Sequence, residues 1–325
     1  MKKTVLLLTI IGMFLSQDNC KAQNIDFDKY PHVILSNKDV SMKVYLPDPE
    51  KGFYRATRYD WTTAIGSLQY KGHEYFKFES ETYDPTATHR MVGPASTFKK
   101  PGLGYDEAKV GDEFIRIGVG FIKKIEEPVY DYHTHYKLSR PGEWSTEQGK
   151  DWISFKHIIN SDFGYGYVYE KTIRLKDDGF TMESKLQNTG EKLIETDQYN
   201  HNFFEIDGKR CNPSIQISYP FPITTDSDLD GKVVLKDNTI HFTRELEPGQ
   251  VFMSLKGFGK KSQDNQFTIE DTDSGAGVTV RVDQPLTKME FYSNGKMICP
   301  EHNMRIYVKP GEEQMWTSSY SFFVK

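Results

Sequence analysis

Residues 180–207 read FTMESKLQNTGEKLIETDQYNHNFFEID. Phe180, Met182, Ser184 and Leu186 alternate with polar neighbours, Asn188-Thr189-Gly190 interrupts the run, and a second stretch leads into Tyr199-Asn200-His201-Asn202-Phe203-Phe204. Side chains of an extended chain point to opposite faces with period two, so each half carries one face suited to a core and one suited to water. A Gly-containing turn between two such runs predicts two strands joined as a hairpin.

The same alternation recurs at Ile153, Phe155 and His157, at Tyr165, Tyr167 and Tyr169, and at Val278, Val280 and Val282. Turn signals separate these runs: Asp177-Asp178-Gly179, Asp207-Gly208, Ser293-Asn294-Gly295 and Lys309-Pro310-Gly311. No long stretch repeats apolar residues at helical spacing, and at most a short helix is expected at residues 106–108. The reading is all-β, a large antiparallel β-sandwich. No Pro/Ser-rich linker, change of composition or run of like charge divides the chain after its first residues, so residues 23–325 are read as one domain. No fixed-period repeat points to a propeller or solenoid.

The 325 residues contain 41 Lys plus Arg against 46 Asp plus Glu. A formal charge of −5 leaves no positive excess with which to neutralise a nucleic-acid backbone, so DNA or RNA is not an expected partner. With 19 Tyr and 21 Phe there is ample material for a packed interior, which excludes global disorder.

Residues 1–3 form a basic head and residues 5–15 an apolar run too short to span a bilayer, the pattern of a secretory signal peptide. Small residues at Cys20 and Ala22 place cleavage before Gln23, so residues 1–22 are read as the signal peptide. The rival reading, lipid attachment at Cys20, is disfavoured by the polar Gln17, Asp18 and Asn19 before it. The expectation is an exported, periplasmic or extracellular protein with no membrane span. Cys211 and Cys299 would then be in a compartment that permits pairing, but a chain of this size is stable without a disulfide. They are read as two separate buried thiols.

His201, between two amides and followed by two aromatics, is poorly suited to a plain apolar core because its ring nitrogens need partners. A structural histidine bonded to backbone and a functional one are both compatible with the local sequence. Beyond residues 52–61, GFYRATRYDW, few segments concentrate so much binding chemistry. Strand alternation would put Arg58 and Asp60 on one face, where they could bond the hydroxyls of a polar ligand while Trp61 stacks on its apolar side; Arg58 could also pair with a ligand carboxylate. A surface ion pair above a core-facing Trp61 is the alternative. His133 and His135 share a face but lack a third ligand, and Asp226, Asp228 and Asp230 lack the downstream glutamate of a calcium loop, so no metal is expected. No Gly-x-Ser-x-Gly elbow, phosphate loop or dinucleotide fingerprint is present, and no cofactor is expected.

The strand, Asn-Thr-Gly turn, strand and Asn-His-x-aromatic-Phe order resembles the aldose 1-epimerase, or galactose mutarotase-like, superfamily. Its Asn-His-Ser/Thr-Tyr-Phe-Asn-Leu signature is matched by Asn200, His201, Asn202, Phe203, Phe204, Glu205 and Ile206, with the last Asn and Leu replaced. The segment MEFYSNGKMICPEHNMRIYVKPGEEQMWTSSYSF resembles the closing strands of that superfamily, with Glu301 at the position of its essential glutamate; here Pro300 precedes that residue rather than following it. The resemblance covers roughly residues 165–325. It implies a galactose mutarotase-like supersandwich acting at the anomeric carbon of a sugar, with His201 as general acid on the ring oxygen and Glu301 as general base on the C1 hydroxyl. It also implies sugar contacts by Asn200, by His89 as the second histidine and by its neighbour Arg90, although the Asn-Arg and Leu-His-Gly-Gly motifs of the family are not recognisable there. Polysaccharide lyases and glycoside hydrolases share the fold, and a noncatalytic carbohydrate-binding protein would keep the same cleft, so both stand as alternatives. The oligomeric state is left open.

Overall fold

The computed structural model describes residues 26–77, 82–98, 101–247 and 249–325. The segment read as a signal peptide, residues 1–22, lies outside the described residues. Nearly all regular structure is antiparallel β, arranged in sheets of ten, five, four and three strands. Among the described residues the only helical pieces are three-residue turns at Phe27–Lys29, Trp61–Thr63 and Ser262–Asp264. The region 106–108 forms a hydrogen-bonded turn closed by Ala108 N–H donating to the Gly104 carbonyl at 3.0 Å, not a helix. No helix among the described residues is long and apolar enough to cross a membrane.

At the centre of the ten-stranded sheet, Gly166–Lys176, Gly179–Asn188 and Glu313–Val324 lie side by side. The five-stranded sheet runs in the order Gln250–Leu255, Lys288–Asn294, Met297–Val308, Ile194–His201, Ala95–Phe98. Phe180 and Met182 from the first sheet share a core with Met253, Phe291 and Ile298 from the second. Leu186, Tyr169 and Trp316 likewise pack with Ile194, Met304 and Ile306. One face of each sheet thus closes on the other, as period-two alternation demands of strands with a single apolar side.

The strands on either side of Asn188-Thr189-Gly190 do not form the expected hairpin. Gly179–Asn188 pairs within the ten-stranded sheet, while Ile194–His201 pairs with Met297–Val308 and Ala95–Phe98 in the five-stranded one. The turn is a crossing between layers. Buried Asn188 fixes it, its amide donating to the Lys192 and Val308 carbonyls at 2.8 Å each while its Oδ1 accepts from Gly190 N–H at 3.0 Å. Two one-sided strands bury their apolar faces equally well side by side or face to face, and contacts distant in sequence select the second. Cys211 and Cys299 are both buried and unbonded to each other.

Candidate active site

The sheet that carries His201 has its other face turned to a cavity of about 960 Å³. Alternation sorts its side chains: Met289, Phe291 and Ser293 are buried in the sandwich, whereas Glu290, Tyr292 and Asn294 line the cavity. Tyr199 and His201 come from the next strand but one, and Met297 and Glu301 from the strand between, while Gln250 and Phe252 stand on the edge strand. Glu290 lies directly across the ladder from Glu301. Loops supply the opposite wall: Arg58 and Tyr59, residues 89–93, and Tyr132 with His133.

His201 and Glu301 meet, with imidazole Nε2 3.2 Å from carboxylate Oε1. Both are largely covered, at 5% and 7% exposure, yet both contribute to the cavity surface. Phe203 lies 4.0 Å from the imidazole, centre to centre, with Tyr59 and Tyr292 at 5.8 and 6.1 Å, so His201 is fenced on three sides by rings. Behind it the Cys299 sulfur is 3.2 Å from Nδ1. Burial holds the Cys299 thiol well above its ordinary range, so it keeps its proton. A thiol donates weakly through S–H and accepts weakly at sulfur, so it accommodates both the neutral imidazole and the imidazolium. The backbone N–H of Phe203 also donates to this sulfur, at 3.2 Å.

The chain makes a sharp exit after His201, with Phe203 in the left-handed region at φ +51°. Asn202 holds the exit by donating to the Asn200 and Pro300 carbonyls at 3.1 and 2.7 Å. The wall approaches so closely that a Cβ on Gly93 would lie 1.9 Å from the Asn202 carbonyl oxygen, so only glycine fits there.

Three residues expected to touch substrate do not reach the cavity. Asn200 is buried one residue from His201, and alternation turns it to the opposite face. There its Oδ1 accepts from Ser96 and Gln198 at 2.9 and 2.7 Å, and its Nδ2 donates to Ser318 and Tyr320, both at 3.2 Å. Asp60 is 1% exposed and forms an ion pair with Lys171 at 2.7 Å. Trp61 is buried, donates Nε1 to the Ala56 carbonyl at 2.9 Å and stacks on Trp144. The cause lies in the backbone: residues 53–59 are irregular chain with bends at 53 and 56–59, not a strand, and Asp60 caps the turn Trp61–Thr63 by accepting from Thr62 N–H at 2.9 Å. Period two does not apply across such a segment, and Arg58 and Asp60 point to different places.

Arg58 does line the cavity, as do His89 and Arg90. Its guanidinium stacks against Tyr59 and Tyr132, 4.6 and 4.3 Å from the ring centres. Its backbone carbonyl is anchored by the buried Arg116 guanidinium at 2.9 Å. The pKa of the His89 imidazole is lowered, first by burial and then by the positive charges of Arg90, His133, Arg58 and His135. Among the described residues no group of three His, Cys, Asp or Glu side chains is arranged to hold a metal. His133 lines the cavity, its ring tilted against Tyr132 with the ring centres 4.2 Å apart.

Sequence reading passed over Tyr199, Tyr132, Phe252 and Glu290. Tyr199 was within reach, since it stands two residues before His201 on one strand and therefore shares its face. Its hydroxyl is raised above the usual phenol range, mainly by burial and by the Glu301 charge, with Arg58 pulling the other way. Glu290 requires knowledge of the register, and Tyr132 and Phe252 come from segments with no motif.

No family model and no curated protein matches the chain. Solved structures do. A galactose mutarotase-like protein from Clostridium acetobutylicum aligns at TM-score 0.57 and 10% identity, covering 93% of this chain and 97% of that one. A galactose mutarotase-like protein from Lactobacillus casei aligns at TM-score 0.56 and 11% identity, covering 90% and 100%. An aldose epimerase homologue from C. elegans aligns at TM-score 0.53 and 11% identity, covering 90% and 99%. The chain has the galactose mutarotase-like fold over nearly its whole described length, and at this identity the likeness speaks to fold alone.

Proposed function

We propose that this protein is an exported aldose 1-epimerase-like enzyme that interconverts the anomers of a free sugar in the cavity above His201 and Glu301. The observation that carries the reading is the contact between an imidazole and a carboxylate, 3.2 Å apart, on the surface of a hollow of sugar-binding size. Anomerisation acts on two oxygens attached to one carbon, so its acid and base must stand close together, as these two do. Glu301 takes the proton of the C1 hydroxyl, His201 delivers one to the ring oxygen, the C1–ring oxygen bond breaks and the C1 carbonyl forms. Rotation about the first carbon–carbon bond presents the other carbonyl face. The roles then reverse: the imidazole recovers a proton from the chain hydroxyl, the carboxylic acid returns one to the carbonyl oxygen, and the ring closes as the other anomer. Atoms and electrons balance without redox change.

Several aldoses and uronates should be followed by NMR exchange between their α and β resonances. Acceleration by wild type is expected with at least one, and His201→Ala or Glu301→Gln should each lower it by about 10²-fold or more while the sugar still binds. No acceleration with any sugar, together with measurable binding, would refute the enzymatic reading in favour of a noncatalytic carbohydrate-binding protein.

A further inference from the structure

We propose that the sugar accepted here carries an anionic group, a carboxylate or a sulfate, which seats on Arg58. The inference rests on the cavity being a sugar site and adds the chemical class of its ligand. Charge pairing inside the cavity motivates it. Its three carboxylates each have a basic side chain beside them: Glu290 has Lys288 at 2.8 Å, Glu205 has Lys296 at 3.7 Å and Glu301 has the His201 imidazole at 3.2 Å. Arg58 has no carboxylate within ion-pair distance among the described residues, because Asp60, two positions away in sequence, is committed to Lys171.

The geometry is that of a prepared receptor. Tyr59 and Tyr132 hold the guanidinium plane, so it meets a ligand already oriented. Arg58 pairs poorly with neutral hydroxyls by comparison, whereas a planar carboxylate or a sulfate matches its fork of donors. His89 and His133 line the same wall, and His89 binds a proton less readily than a free imidazole, first because it is partly buried and then because Arg90 and Arg58 add positive charge beside it. Tyr59 touches both the Arg58 guanidinium and, from 5.8 Å, the His201 ring. The anion seat and the acid–base pair are therefore one tyrosine apart, and a single pyranose with an exocyclic anion can reach both.

The test is binding to the full chain, measured calorimetrically for D-glucuronate and D-galacturonate against D-glucose and D-galactose, with glucose 6-sulfate as the sulfate arm. At least one anionic sugar should bind about tenfold or more tighter than its neutral parent, and Arg58→Gln should bring that ratio to within about twofold. Arg58→Lys should retain part of the preference, because it keeps the charge but loses the fork. Uronate binding without sulfate binding, or the reverse, identifies which anion the seat takes. Neutral sugars matching or exceeding every anionic one in wild type would overturn the proposal, as would a folded Arg58→Gln that keeps the full preference. Binding and turnover separate this inference from the functional reading. Preferential binding of anionic sugars with no anomerisation of any sugar sinks the acid–base mechanism alone, and equal binding and turnover of neutral sugars sinks the anion seat alone.

Discussion

Replacing Lys171 with Met should destabilise the protein sharply, because Asp60 would remain buried with its charge uncompensated. The two side chains are 1% and 0% exposed and 2.7 Å apart. Lys171 also donates to the Ser96 hydroxyl at 2.8 Å, and Asp60 accepts from Tyr169 at 3.0 Å and from the N–H and hydroxyl of Thr62 at 2.9 Å each. Breaking a buried pair by deleting one partner costs about 3–5 kcal/mol, and the three neutral donors left to Asp60 place this case near the lower end, at about 3 kcal/mol. With an unfolding entropy of about 2.1 cal/mol/K per residue over roughly 300 residues, that is a fall in Tm of about 5 °C. Urea unfolding followed by tryptophan fluorescence gives the free energy, and calorimetry gives the Tm. Asp60→Asn with Lys171→Met should recover most of the loss, since the uncompensated charge is then gone. A loss below about 1 kcal/mol for Lys171→Met, or a double variant as unstable as the two single losses added together, would refute the argument. The same variants decide what Asp60 does: as a scaffold residue its removal moves stability, whereas a substrate ligand would move sugar affinity with stability unchanged.

Two further expectations concern acid and export. Burial holds His302 down to about 3 and His157 down to about 4, against an ordinary 6.5. As pH falls below about 6.5 the unfolded chain takes up protons at both positions while the native chain does not, so stability present above that pH is lost progressively toward pH 4 and below. Urea midpoints measured from pH 7.5 to 4.5 should decline, and His302→Gln should flatten the slope; a flat wild-type profile would contradict the buried neutral state. If residues 1–22 direct export, cells expressing the full chain should hold a shortened protein outside the cytoplasm, with Gln23 at or near its amino terminus by sequencing. A full-length cytoplasmic product would refute that reading.

Alternation placed Phe180, Met182 and Leu186 toward a core and made the chain β-rich, and the structure agrees residue by residue. His201 and Glu301 stood out through a resemblance of short segments a hundred residues apart, but their contact depends on Ile194–His201 and Met297–Val308 becoming neighbours, which no local pattern states. Glu290 joins them only through the register of the next strand.

The face each side chain takes within a strand follows from residue order alone, because the backbone repeats every two residues wherever it is extended. Which strands lie beside each other, and where extension stops, is set by contacts made in three dimensions. Asn188-Thr189-Gly190 became a crossing between sheets because burying two apolar faces against each other satisfies the chain as well as a hairpin does. Asp60 turned inward to Lys171, 111 positions away, leaving Arg58 to the cavity. Charges are matched through space, and distance along the chain does not record it.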